Sequence, residues 1–207
     1  MLYLILWAAI AAVIVIADQV TKYWIVDVMK IEEDTSVTVI EGVLNWTHIK
    51  NDGAIMGILD DAPWVYMILS TIGIIVMIGM LVWWCKKEPK DKLMQVILTL
   101  LIGGGIGNMI DRCRTLPAPK VTDFIDFCAF PNLWKWIFNV ADCAVTIGGA
   151  MMVLWLIWSF ATEIKNARKA KAAQLSEQEP EPEQDAKPDE TQADAEQEQH
   201  ADGNTQS

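Results

Sequence analysis

Four long stretches with almost no charge leave this chain few folds to adopt. They cover residues 1–25, 62–84, 93–110 and 136–161, and the last holds a single charge, Asp142. A helix needs about 20 mostly apolar residues to cross a bilayer. Inside lipid the backbone must bond to itself, which favours helices over irregular chain. Four spanning helices are expected. A cleaved signal peptide would open with a basic segment; residues 1–17 carry no charged side chain, so the first stretch is read as a retained helix.

The short flanks orient the bundle. Lys86, Lys87, Lys90 and Lys92 lie between the second and third stretches, and Lys165, Arg168, Lys169 and Lys171 follow the fourth. Lys and Arg concentrate on cytoplasmic flanks, and four spans place both groups on the same side. The expected fold is therefore an all-α membrane protein with both termini cytoplasmic. Tryptophans are expected to form interface belts, with Trp24, Trp64, Trp134 and Trp136 at the outer ends and Trp7, Trp83, Trp84, Trp155 and Trp158 at the inner ends. Around Glu41-Gly42, apolar residues partly alternate, which predicts a small extracytoplasmic hairpin and loop subdomain. The membrane-spanning body is placed at residues 1–165. Residues 166–207, first basic and then rich in Glu, Gln, Asp, Ala and Pro, are expected to form a disordered cytoplasmic tail.

Charge and composition narrow the chemistry. The net charge is −11, and from Lys165 onward five basic residues face eleven acidic ones. The body keeps a modest acidic excess and offers no basis for nucleic-acid binding. The four cysteines form no CxxC pair and the histidines are only His48 and His200, so no metal site is expected. The cysteines read as small apolar residues, with no disulfide assigned among Cys113, Cys128 and Cys143.

Ionisable residues inside spans are costly and usually functional. Here they gather at one depth. Asp18 and Lys22 lie near the outer exit of the first span, and Asn108, Asp111 and Arg112 end the third. Asn139 and Asp142 open the fourth, while Asn51, Asp52, Gly53 and Asp123 come from the outer loops. Simpler roles compete: Asp18 and Lys22 are spaced to pair on one helix face, Gly103 and Gly107 to make a close helix contact, and Arg112 to hold a loop by forked hydrogen bonds. No Ser/His/Asp set or Cys/His pair is available. Two carboxylates sharing a proton can cleave an amide, one as base toward water and the other as acid toward the carbonyl.

The motifs Asp18-Gln19-Val20-Thr21-Lys22, Asn51-Asp52-Gly53-Ala54, Gly103 through Arg112, Val121-Thr122-Asp123-Phe124 and Phe138-Asn139-Val140-Ala141-Asp142 occur in this order. Over about residues 1–165 the chain resembles the lipoprotein signal peptidases, or signal peptidase II. The resemblance implies catalytic roles for Asp123 and Asp142. It implies supporting or substrate-binding roles for Asp18, Lys22, Asn51, Gly53, Asn108, Asp111, Arg112 and Asn139. It further implies an enzyme of the bacterial cytoplasmic membrane, without metal or cofactor, that cuts diacylated prolipoproteins just before the lipid-bearing cysteine. The expected partners are those substrates, membrane lipids and globomycin-type inhibitors. Ile55 and Met56 depart from the family pattern, as does Thr122. Two rival classes are a small multi-pass ion or proton transporter, which favours carboxylates spread through the membrane depth, and a noncatalytic adaptor working through its acidic tail.

Overall fold

The computed structural model describes residues 2–52, 63–132 and 134–178. The chain divides into two compact units, Met1–Phe160 and Ala161–Ser207. The long helices are α1 (Leu2–Tyr23), α2 (Pro63–Lys87), α3 (Lys92–Arg114) and α4 (Val140–Gln178), with a π-helical turn at Trp24–Val28 after α1. All four are long and apolar enough to cross a membrane. Between them lie β1 (Thr35–Ile40), β2 (Leu44–Asn51), β3 (Val121–Phe127) and β4 (Ile137–Phe138).

In the first unit α3 is the inner helix. Half of its apolar window is buried inside the protein, against 6–17% for the other three. Its run of glycines explains how it accommodates three neighbours. A Cβ on Gly103 would meet Ile14 of α1, one on Gly104 would meet Ala141 and Val145 of α4, and one on Gly105 would meet Ile74 of α2. Consecutive helical residues point about 100° apart, so three adjacent glycines open three directions at once. Gly107 faces Asp18 and Ala141. The expected GxxxG contact is thus part of a wider device. Without lipid-phase hydrophobic attraction between helices, such close approach is what packing relies on.

Gly104 is the tightest of these positions, since an added Cβ would run into the carbonyl oxygen of Ala141. Gly104→Ala should therefore destabilise the bundle by about 1–3 kcal/mol, the usual cost of overpacking. Gly73→Ala and Gly79→Ala on α2, where no described residue lies within 4 Å of the added atom, should be neutral or mildly stabilising. Thermal unfolding of the three variants in one detergent checks the contrast.

At the end of α3 away from the sheet, Trp7, Leu81, Met94, Ile97, Leu98 and Ile102 form the apolar core. Trp7 belongs to it rather than to an interface belt: it is buried and its Nε1 donates to Gln95 Oε1 at 2.7 Å. A buried indole N–H needs such a partner. Asp91 caps α3 by accepting from the Met94 amide, and its other oxygen accepts from Trp84 Nε1 of α2. That joins the two helices across their short connection.

The sheet runs β1-β2-β3-β4, every pair antiparallel. The expected hairpin is present, with Gly42 at φ 69° supplying the left-handed turn. The sheet is larger than a hairpin, however. Residues 121–127 form a third strand on β2, and residues 137–138 return to pair with β3. The fourth span accordingly starts at Val140, not at 136, because those two residues are claimed by the sheet. Ile25, Ile31 and Phe124 form a small core beneath the sheet, with Trp46 packed on Phe124 and Trp24.

In the second unit the described residues are helical as far as Gln178. Residues 166–178, expected to be unordered, are rich in Ala, Lys, Arg and Gln, all good helix formers.

Candidate active site

The site forms where β3, the last turns of α1 and α3, and the first turn of α4 meet. Asn139 is its pivot. It stands just before α4 and its Oδ1 accepts from the Asp142 amide at 2.9 Å, while its own amide donates to Asp142 Oδ2 at 3.1 Å. This reciprocal pair is a capping box. Their i,i+3 spacing is the signature of a helix start. Capping leaves the Asn139 Nδ2 group free to reach β3, where it donates to Asp123 Oδ1 at 2.6 Å. One residue therefore contacts both aspartates.

The remaining contacts come from distant elements. Asn51, at the end of β2, donates to Asp123 Oδ2 at 2.7 Å. Asn108 of α3 donates to Asp142 Oδ1 at 2.7 Å and accepts from Asn139 Nδ2 at 3.1 Å. Arg112, half-buried on the last turn of α3, acts electrostatically on Asp142, Asp123 and Asp111. Among the described residues none accepts a hydrogen bond from its guanidinium, so the forked contacts expected of it are not seen there. Gly53 lies outside the described residues.

Behind the aspartates lies a buried charged cluster. Lys22 Nζ sits 2.8 Å from both Asp18 and Asp111 and 3.1 Å from Asn108 Oδ1. Each of the two carboxylates also grips backbone next to a site aspartate. Asp18 Oδ1 accepts from the Ala141 amide at 2.9 Å, and Asp111 Oδ2 accepts from the Thr122 amide at 3.1 Å. Lys22 thus ties together two clamps, one on the residue before Asp142 and one on the residue before Asp123. Gln19, which the sequence reading passed over, completes the cluster. Its Nε2 reaches Asp111, Asp18 and the Gly107 carbonyl, and its Oε1 accepts from Arg114. A polar residue beside Asp18 inside a span was the available signal. Asp126 serves the sheet instead, accepting from Thr47 and Asn45 of β2.

Asp123 is 1% exposed. Burial, and then the charge of Asp142, push its carboxyl up from 3.8 to about 7, against the pull of Asn51, Asn139 and Lys22. A raised carboxyl means that the folded state holds a proton that the unfolded chain releases. Stability is then fullest below about pH 4 and is lost as pH rises toward about 7, by up to about 4 kcal/mol in all. Asp123→Asn removes that titration. Its unfolding free energy should stay flatter than that of the parent between those pH values, as parallel denaturation series in detergent can measure.

The aspartates, amides and charged cluster lie within a stretch that matches a known family. The family model for signal peptidase (SPase) II matches residues 10–158. The lipoprotein signal peptidase of Brevibacillus brevis is 39% identical over 147 residues, covering 70% of this chain and 90% of the relative. That of Shouchella clausii is 37% identical over 164 residues, 78% of this chain and 99% of the relative. A bacterial membrane enzyme solved by the in meso method at 2.3 Å resolution shares 36% identity, with a TM-score of 0.60 over 75% of this chain and 90% of that one. The match takes in every described residue of the site, from Asp18 on α1 to Asp142 on α4, and on it the chain belongs to the signal peptidase II family.

Proposed function

We propose that Asp123 and Asp142 are the acid–base pair with which this signal peptidase II removes signal peptides from prolipoproteins. The observation that carries the assignment is Asn139, which bonds to both carboxylates while it starts α4. Two carboxylates that share one proton act as a unit. The buried Asp123 keeps the shared proton. Asp142 serves as the base; its carboxylate accepts from the Asn108 amide and the Asn139 backbone N–H in the first turn of α4.

The reaction then balances without a metal or cofactor. Asp142 takes a proton from a water, whose oxygen attacks the scissile carbonyl carbon. Asp123 gives its proton to the carbonyl oxygen. The resulting gem-diol collapses as Asp142 returns its proton to the amide nitrogen and one hydroxyl proton goes back to Asp123. A carboxyl ends the released signal peptide and a free amine begins the lipoprotein. Asn51, Asn108 and Asn139 hold the pair; Asp18, Lys22 and Asp111 fix the backbone beside it; Arg112 offsets the local negative charge. Gly53, two residues after Asn51 in the sequence, is assigned to substrate contact by resemblance.

The substrate follows from the setting. A diacylglyceryl group is anchored by about 0.8 kcal/mol per buried CH₂, so its peptide bond has to be cut at the membrane. The Lys and Arg bias supports cytoplasmic termini and a site near the extracytoplasmic face, and the family resemblance supports the bacterial inner membrane. Catalysis is assigned to residues 1–165, with 166–207 as a tail. An ion-transport reading is disfavoured by the polar residues collecting at one end of the bundle, opposite an apolar core.

The direct test gives purified protein in lipid a diacylated prolipoprotein and its unlipidated precursor. Cleavage before the lipid-bearing cysteine, blocked by globomycin, is expected only for the diacylated form. Equal cleavage of both forms would overturn the substrate assignment.

A further inference from the structure

The second unit carries a feature that the family match, ending at residue 158, does not reach. Lys165, Arg168 and Lys169 rim a shallow notch on the helix whose floor is Ala161, Ile164 and Ala172. The spacing 161, 164/165, 168/169, 172 is that of one helix face, so the notch is written into the sequence. No acidic residue falls between Glu163 and Glu177. Ile164 is 54% exposed and the three cations are exposed as well. An apolar floor beneath a cationic rim suits one kind of occupant: an amphiphile with an anionic head. The notch also follows closely on Trp158 and Phe160, residue types that favour the membrane boundary.

We propose that this notch binds the headgroup of an anionic phospholipid, the phosphodiester against Lys165, Arg168 and Lys169 and the glycerol and upper acyl carbons over Ile164. The chain holds one competitor, its own acidic segment beyond Glu177. That segment supplies carboxylates but, apart from Ala and Pro, no apolar side chain to cover the floor. Basic residues near a membrane surface each add measurably to anionic-lipid attraction, and the effect is screened by salt.

The test uses the full chain in detergent micelles, with native mass spectrometry counting retained phosphatidylglycerol and phosphatidylcholine. The parent should retain phosphatidylglycerol about tenfold better at low salt. The variant Lys165→Gln/Arg168→Gln/Lys169→Gln should lose the preference while keeping prolipoprotein cleavage. Lys86→Gln/Lys87→Gln/Lys90→Gln, which removes the other basic flank, should keep it. Ile164→Ser should weaken phosphatidylglycerol retention, and inorganic phosphate should not compete. The proposal is overturned if the parent shows no preference or if the triple variant in the helix retains it. It is equally overturned if phosphate competes as well as the lipid, or if the preference appears only after truncation at Gln178, which would make the acidic segment the occupant.

Discussion

Asp123→Asn and Asp142→Asn should each abolish prolipoprotein cleavage, lowering kcat by at least about 10³-fold, the range of a lost acid or base. An amide is close in size to a carboxyl but can neither take a proton from water nor deliver one to the carbonyl. The two losses should not add. Because the pair acts as a unit, the double variant should be little slower than either single one. Membrane insertion should be unaffected, since neither change alters an apolar face. Cleavage rates of the four proteins in the same lipid, at equal amounts of folded protein, check this. Turnover by Asp123→Asn near the parental rate would remove Asp123 from the mechanism.

The largest effect on the fold is expected at Lys22. Its side chain is 6% exposed and its ammonium group lies 2.8 Å from two buried carboxylates. Removing one partner of such a cluster leaves uncompensated buried charge and costs about 3–5 kcal/mol. Lys22→Met should therefore unfold well below the parent temperature. Activity should fall in the folded fraction too, because Asp18 and Asp111 would no longer hold the Ala141 and Thr122 amides in place. Adding Asp111→Asn to Lys22→Met should restore part of the stability by neutralising one stranded charge. That non-additivity separates a charge effect from lost packing.

The spans were legible because lipid imposes a simple rule on length and polarity, and the gathering of polar residues at one end followed from counting along them. Asp18, Lys22, Asn108, Asp111, Asn139, Asp142, Asn51 and Asp123 could all be named from residue type and depth. Their partners could not. The strand at Val121–Phe127 is buried on both sides over its first four residues, so the alternation that marks a half-buried strand is blurred. Its partner β2 lies more than sixty residues away in sequence, beyond the reach of local signals. The returning strand Ile137–Phe138 is two residues long, too short to show any period. Asn139 and Asp142 carry a capping pattern, but the same i,i+3 spacing also marks a shared helix face, so it does not stand out. The glycine run suggested one close contact where the bundle uses three, since sequence gives spacing without saying which neighbours will fill the directions opened. Trp7 was misplaced for a related reason: belt and core tryptophans look alike until a partner such as Gln95 is found.

The most direct measurement of the shared-proton mechanism is the pH dependence of kcat/KM for a diacylated prolipoprotein, taken on protein in lipid and confirmed folded at each pH. With Asp123 holding the proton and raised to about 7, the rate should fall as pH climbs through that value, approaching about tenfold per pH unit above it. A rate that stays level or rises from about pH 6 to about pH 9 would contradict a protonated Asp123 acting as the acid.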